Sequence, residues 1–141
     1  MAVGSSVGTD RAAGVARLGL AEDAVVQVVG WDDDGDEEFL EAVGDHVSEV
    51  IVGDVEDVVD AVLVWWRDED GDLADGLLDA LAMLADDGVV WLLTPRPGRP
   101  GHMTGSDVKE AVQVAGLQVT SSISVGAKWQ AARLMARKTG R

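Results

Sequence analysis

Four short apolar runs, each followed by a polar, helix-compatible stretch, constrain this chain more than any other feature. They are "AVVQVVG" (24–30), "EVIVG" (49–53), "DAVLVWW" (60–66) and "VVWLLT" (89–94). The runs are rich in β-branched residues and lack the apolar–polar alternation of a strand with one wet face. In 24–30 and 89–94 the continuous apolarity suits strands covered on both faces, as in a parallel sheet between two helical layers, while 49–53 reads as a second, short strand and 60–66 as a third. The intervening segments supply helices. Phe39, Leu40, Val43 and Val47 fall on one stripe at helical spacing. A second helix is expected from Asp72 to about Ala85, with Leu73, Leu77, Leu81 and Leu84 inward and Gly88 as its stop. A third is expected at about 107–115. "LQVTSSISV" (117–125) and "WQAARLMAR" (129–137) then close the chain as a hairpin around "GAK".

The expected architecture is a three-layer α/β domain with a mostly parallel sheet ending in an antiparallel hairpin. Residues 1–15 read as a loose tail, 16–138 as one domain and 139–141 as a second tail; a short helix is expected from Asp10 to Leu18. The link between the second and third strands is the anomaly, since about seven residues stand where a parallel crossover normally takes ~10–12. Trp65 and Trp66 should point to opposite faces of one strand. With Trp91 and Trp129 they read as core residues.

Composition narrows the function. The formal net charge is -15, with 24 acids and 3 bases in residues 1–87 and 2 acids and 8 bases in residues 88–141. Such acidity argues against nucleic acid as a partner, because phosphates would be repelled. No cysteine is present, so thiolate chemistry is excluded. The first residues lack a signal-peptide core, and no apolar run reaches the ~20 residues of a membrane span. A cytoplasmic location and no membrane partner are expected.

Two loops are dense in carboxylates: "WDDDGDEE" (31–38) after the first strand, and "RDEDGDLAD" (67–75) after the third. Capping explains much of this. Asp34 stands three residues before Glu37, the spacing of a capping box. Asp72 can cap the next helix, and acids in a first turn complement its positive end. If the sheet changes winding direction between these strands, the two loops emerge side by side, where ligands of open α/β sheets usually bind. Asp32, Asp34, Asp36, Asp68, Asp70 and Asp72 could then share a hard cation, Mg²⁺ or Ca²⁺. The glycines Gly35 and Gly71 do not match a calcium loop of the EF-hand type. The loop "PRPGRPGHMTGS" (95–106) is a second candidate. Arg96, Arg99 and His102 precede a helix start at Ser106 or Asp107, a setting for an anion or an acidic partner. Arg96 and Arg99 are expected to turn toward the acidic loops of the same molecule or of a neighbour. Ser106, Ser121, Ser122 and Ser124 have no recognisable base arrangement nearby, so no catalytic residue is assigned.

The segments "ARLGL" (16–20), "VVGWDDDGDEE" (28–38), "DAVLVWWRDEDGDLADGL" (60–77), "GVVWLLTPRPGRPGH" (88–102) and the closing "W…RL.ARK" (to Lys138) resemble a family of small bacterial domains of unknown function, found in an acidic form in actinobacteria. Strand, helix ending in "LADDG", strand "VVWLLTP", helix, "AGL" and hairpin also resemble the second half of a class I methyltransferase domain. The resemblance implies a Rossmann-like fold and brings no established activity. Methyltransferases of this class close their first strand with glycines that admit the cofactor. This chain has Gly30 and Gly35, with Trp31 and three aspartates between. S-adenosylmethionine is therefore not expected as a cofactor, although Asp54 could contact a ribose. The expected function is a non-enzymatic acidic binding or regulatory module with a protein partner. The alternative is a methyltransferase-type or divalent-metal-binding enzyme.

Overall fold

A computed structural model describes residues 18–136. The proposed helix at 10–18, the two tails and the last residues of the 16–138 domain therefore lie outside the described residues, apart from Leu18. The elements are β1 (Val25–Val29), α1 (Glu37–His46), β2 (Glu49–Val52), β3 (Val59–Trp65), α2 (Leu73–Leu81), β4 (Leu84–Pro95), α3 (Gly105–Val114), β5 (Leu117–Val125) and β6 (Trp129–Ala136). They form one six-stranded sheet in the order β2-β1-β3-β4-β6-β5. Strands β2, β1, β3 and β4 run parallel, while β6 is antiparallel to both β4 and β5.

Successive residues of the central strands feed two separate cores, as unbroken apolar runs require. Ala61, Leu63 and Trp65 face one core with Trp91, Leu93 and the α1 residues Phe39 and Val43. Val62 and Val64 face the other with Leu92 and the α2 residues Leu73 and Leu77. Trp65 and Trp66 divide between the two cores as expected, with Trp65 fully buried and Trp66 half-buried. Helix α1 thus covers one face of the sheet, and α2 and α3 cover the other.

The short link between β2 and β3 is a strap without a helix. Val52 sits level with Val28 and Ala61 with Val26, which puts the start of β3 at Val59 level with Ala24. The chain must therefore return four residues, about 13 Å, and cross two strand spacings, roughly 10 Å. Residues 53–58 span up to ~25 Å when extended, which suffices. Val55 of the strap packs on the α2–α3 core.

Three element boundaries differ from expectation. Helix α2 ends at Leu81, and β4 begins at Leu84, so Gly88 lies inside a strand. The register with β3 jumps from Val59↔Leu84 to Ala61↔Val89, and Gly88 sits in the displaced segment. A Cβ there would come within 2.5 Å of the Leu84 side chain. Helix α3 begins at Gly105, with Thr104 as its N-cap accepting from Asp107 N–H. Helix α1 is capped by Asp36, whose side chain accepts from Phe39 N–H at 2.9 Å, and not by Asp34.

Candidate functional site

The loops after β1, β3 and β4 share the carboxyl end of the parallel strands. The β5–β6 turn joins them, because Trp129 pairs with Pro95. Gly30 brings the first two loops into contact. Its φ is +78°, and a Cβ would lie 2.1 Å from the Trp65 carbonyl oxygen, so the backbone approach tolerates only glycine. Trp31 then folds back beneath its own acidic loop. Its ring meets Trp65 edge-on at 5.1 Å, and a Cβ on Gly35 would fall 2.4 Å from it. Trp65 also makes edge contacts with Phe39 and Trp129, completing an aromatic floor.

Over this floor lies Arg67, a residue to which the sequence reading assigned no role. It is 7% exposed, the most buried charge among the described residues. Its Nε and Nη2 donate to the two carboxylate oxygens of Asp34 at 3.0 and 2.5 Å, a bidentate fork. Nη1 donates to the Gly30 carbonyl at 2.8 Å and to Asp70 Oδ2 at 3.2 Å. Asp70 Oδ2 also accepts from the Arg67 backbone N–H at 2.9 Å. The guanidinium carbon stands 5.1 Å from the centre of the Trp129 ring. Trp129 Nε1 in turn donates to the Asp34 carbonyl at 2.9 Å. Arg67 holds the Asp34 carboxyl below the usual carboxylate range, chiefly by hydrogen bonding, against the opposing effect of partial burial. The two carboxylates reciprocate by raising Arg67 further above its ordinary value.

The six aspartates named as metal ligands thus take several positions. Asp34 and Asp70 converge, but on Arg67. Asp36 and Asp72 cap α1 and α2, the latter accepting from Ala74 N–H at 2.9 Å. Asp32 accepts from the backbone N–H of Asp33. Asp68 is exposed in a single 3₁₀ turn, and its N–H donates to the Gly101 carbonyl. Among the described residues, no group of three or more His, Asp or Glu side chains is arranged to hold a metal ion.

The basic loop is dispersed. Arg96 N–H donates to the Lys128 carbonyl, and its Nη1 reaches the Gly126 carbonyl at 3.4 Å, so Arg96 serves the hairpin turn and does not face the acids. Arg99 lines a cavity of about 110 Å³ together with Asp34, Pro95, Pro100, Lys128 and Trp129. His102 Nδ1 donates to the Pro95 carbonyl at 3.0 Å, and Ser106 is exposed in the first turn of α3.

One signal could have pointed to Arg67. It is the single base between Arg17 and Arg96, placed directly after the third strand in a stretch otherwise crowded with acids. A lone base there must sit near many carboxylates, but which ones depends on the fold, since Asp34 is 33 residues away.

Several solved structures similar in fold are methyltransferases. A SAM-dependent methyltransferase from Aquifex aeolicus aligns with a TM-score of 0.64 at 17% identity, over 91% of this chain and 90% of that one. A precorrin-6y C5,15-methyltransferase from Geobacter metallireducens gives 0.58 at 12%, over 90% and 87%. The mitomycin 7-O-methyltransferase gives 0.63 at 16% over 96% of this chain, which spans only 56% of that enzyme. At these identities the likeness shows the Rossmann-like, methyltransferase-like fold alone. In sequence, uncharacterized proteins of Mycobacterium tuberculosis and Mycobacterium bovis are each 44% identical over 135 residues, covering 94% of this chain and 85% of the relative. The family described as "Protein of unknown function (DUF3052)" matches residues 15–138, and this chain belongs to it.

Proposed function

We propose that this domain is a non-enzymatic acidic binding or regulatory module, built on a methyltransferase-like fold whose strand-end crevice is closed by its own side chains. The observation that carries the reading is the Arg67 network. In an open α/β sheet, the crevice beyond the first strand offers backbone and side-chain donors to a ligand. Here the approach that Gly30 permits is taken by the Trp65 carbonyl. The guanidinium donors are committed to Asp34, Asp70 and Gly30, and Trp31 underlies the loop. A cofactor carrying an adenosine and a sulfonium would have to displace both the ion pair and the ring. The residues present do not fit S-adenosylmethionine.

The module reading also rests on charge. Asp32, Asp33, Glu37, Asp68 and Glu69 are exposed on the two strand-end loops, where Arg67 is the only Lys or Arg. A basic protein surface is the complementary partner, steered by a field that salt would weaken. Calorimetric titration with S-adenosylmethionine and S-adenosylhomocysteine tests the closed crevice. The expected result is no binding heat up to about 1 mM ligand, weaker than any ordinary cofactor affinity. A dissociation constant in the micromolar range for either compound would overturn the reading.

A further inference from the structure

Helix α3 covers the core beside β4, but the face of the β5–β6 hairpin beyond it carries no helix among the described residues. The result is a groove of about 650 Å³ between α3 and the hairpin. This volume lies within the ~300–1,000 Å³ range of small-molecule sites. Leu92 and Ala132 contribute apolar surface from the α2–α3 face of the sheet, and Val108 and Val119 also line the groove. Val119 remains 45% exposed, an apolar side chain left to solvent at the groove's edge.

Its polar lining is sparse and of one kind. Thr94, 5% exposed, and Gln130 meet at the end near the β4 terminus, with Gln130 Nε2 donating to Thr94 Oγ1 at 3.4 Å. Ser122 and Ser124 add hydroxyls from the edge strand. The one charged residue on the lining is Lys109, and no acid lines the groove, although 26 of the 141 residues are acids. In so acidic a chain, a groove free of carboxylates and bearing one cation is complementary to a ligand with a single negative charge. The apolar surface selects the rest of that ligand, and the hydroxyls and amide can orient it.

We propose that this groove is a binding site for a small monoanion with an apolar body, an aromatic or branched-aliphatic carboxylate, whose carboxylate pairs with Lys109. The site lies on the flank of the sheet, apart from the strand-end loops, and goes beyond the reading proposed above. The test is a two-dimensional ¹H–¹⁵N NMR titration of the full chain with 2-naphthoate, and with 2-naphthylmethylamine as a body of similar size and opposite charge. Two variants accompany it: Lys109→Gln, and Ser122→Trp, which puts a large ring into the groove from an exposed strand position. Dispersed spectra establish that each variant is folded. Saturable shifts should map to α3, β5 and β6 with 2-naphthoate, with the amine binding about fivefold or more weakly. Lys109→Gln should remove that preference, and Ser122→Trp should abolish the shifts. Equal binding of the amine, shifts mapping elsewhere, or unchanged binding by Ser122→Trp would each overturn the proposal. So would concentration-dependent broadening of the same resonances without ligand, which would assign the groove to a second copy of the chain.

Discussion

The strand-end loops and the β5–β6 flank are built from opposite materials. The loops carry many of the chain's acids, and one buried guanidinium, two carboxylates and three tryptophans pack there against one another. The space left beside residues 33–38 and the Lys128–Trp129 turn, about 440 Å³, is lined largely by acids. The flank has a nine-residue edge strand without a charged side chain, and beside it the sheet stays open. Dense charge in a sequence therefore marks structural pairing as readily as a place for a ligand. A carboxylate near a buried cation is a structural partner first, because leaving that cation unpaired would cost far more than exposed pairs gain.

Breaking the closed region should cost much more than altering the open one. Gly30→Ala should have the largest effect. It places a methyl group where the Trp65 carbonyl lies, at a φ of +78°, and about 4 kcal/mol of destabilisation is expected. Urea unfolding measures it, and a loss below ~1 kcal/mol would mean that the two loops do not meet this closely. Arg67→Gln follows, since it strands Asp34, Asp70 and the Gly30 carbonyl together. A loss of about 3 kcal/mol is expected, seen as a melting temperature lower by roughly 10 °C.

Asp34→Asn should be milder, about 1 kcal/mol at neutral pH, because its side chain is 54% exposed. Its pH dependence carries a definite sign. Arg67 lowers the folded pKa of Asp34 below its ordinary value of 3.8. Its stabilisation is therefore full above that value and is lost as pH falls through the lowered folded pKa. The gap between the parent chain and Asp34→Asn should hold from pH 7 to about 5 and close in stronger acid, as followed by urea unfolding at each pH. Lys109→Gln on the open flank sharpens the contrast, with a change within about 0.5 kcal/mol.

Much of the fold was legible because it rests on local pattern. Unbroken apolar runs marked β1 and most of β4 as doubly covered strands, and Trp65 and Trp66 divided between the cores because side chains alternate along a strand. The side-by-side emergence of the two acidic loops was legible for the same topological reason. What binds them was not, since a side-chain pairing across 33 residues has no local signature. Asp34 was read as a cap because acids stand at several offsets before α1, and spacing alone could not separate Asp34 from Asp36. Gly88 resembled a helix stop, because a glycine inside a displaced strand carries the same sequence mark. The groove was hidden in "LQVTSSISV", which reads as a hairpin strand whether or not a helix covers it.

The central claim is that Arg67 and Asp34 hold each other in the closed crevice, and a double-mutant cycle tests it most directly. Unfolding free energies of the parent chain, Arg67→Gln, Asp34→Asn and the double variant would be measured in the same buffer at pH 7. A coupling of about 1 kcal/mol or more is predicted, because a bidentate pair with one buried member loses its interaction once, not twice. Single-variant losses that simply add, within about 0.3 kcal/mol, would contradict the account.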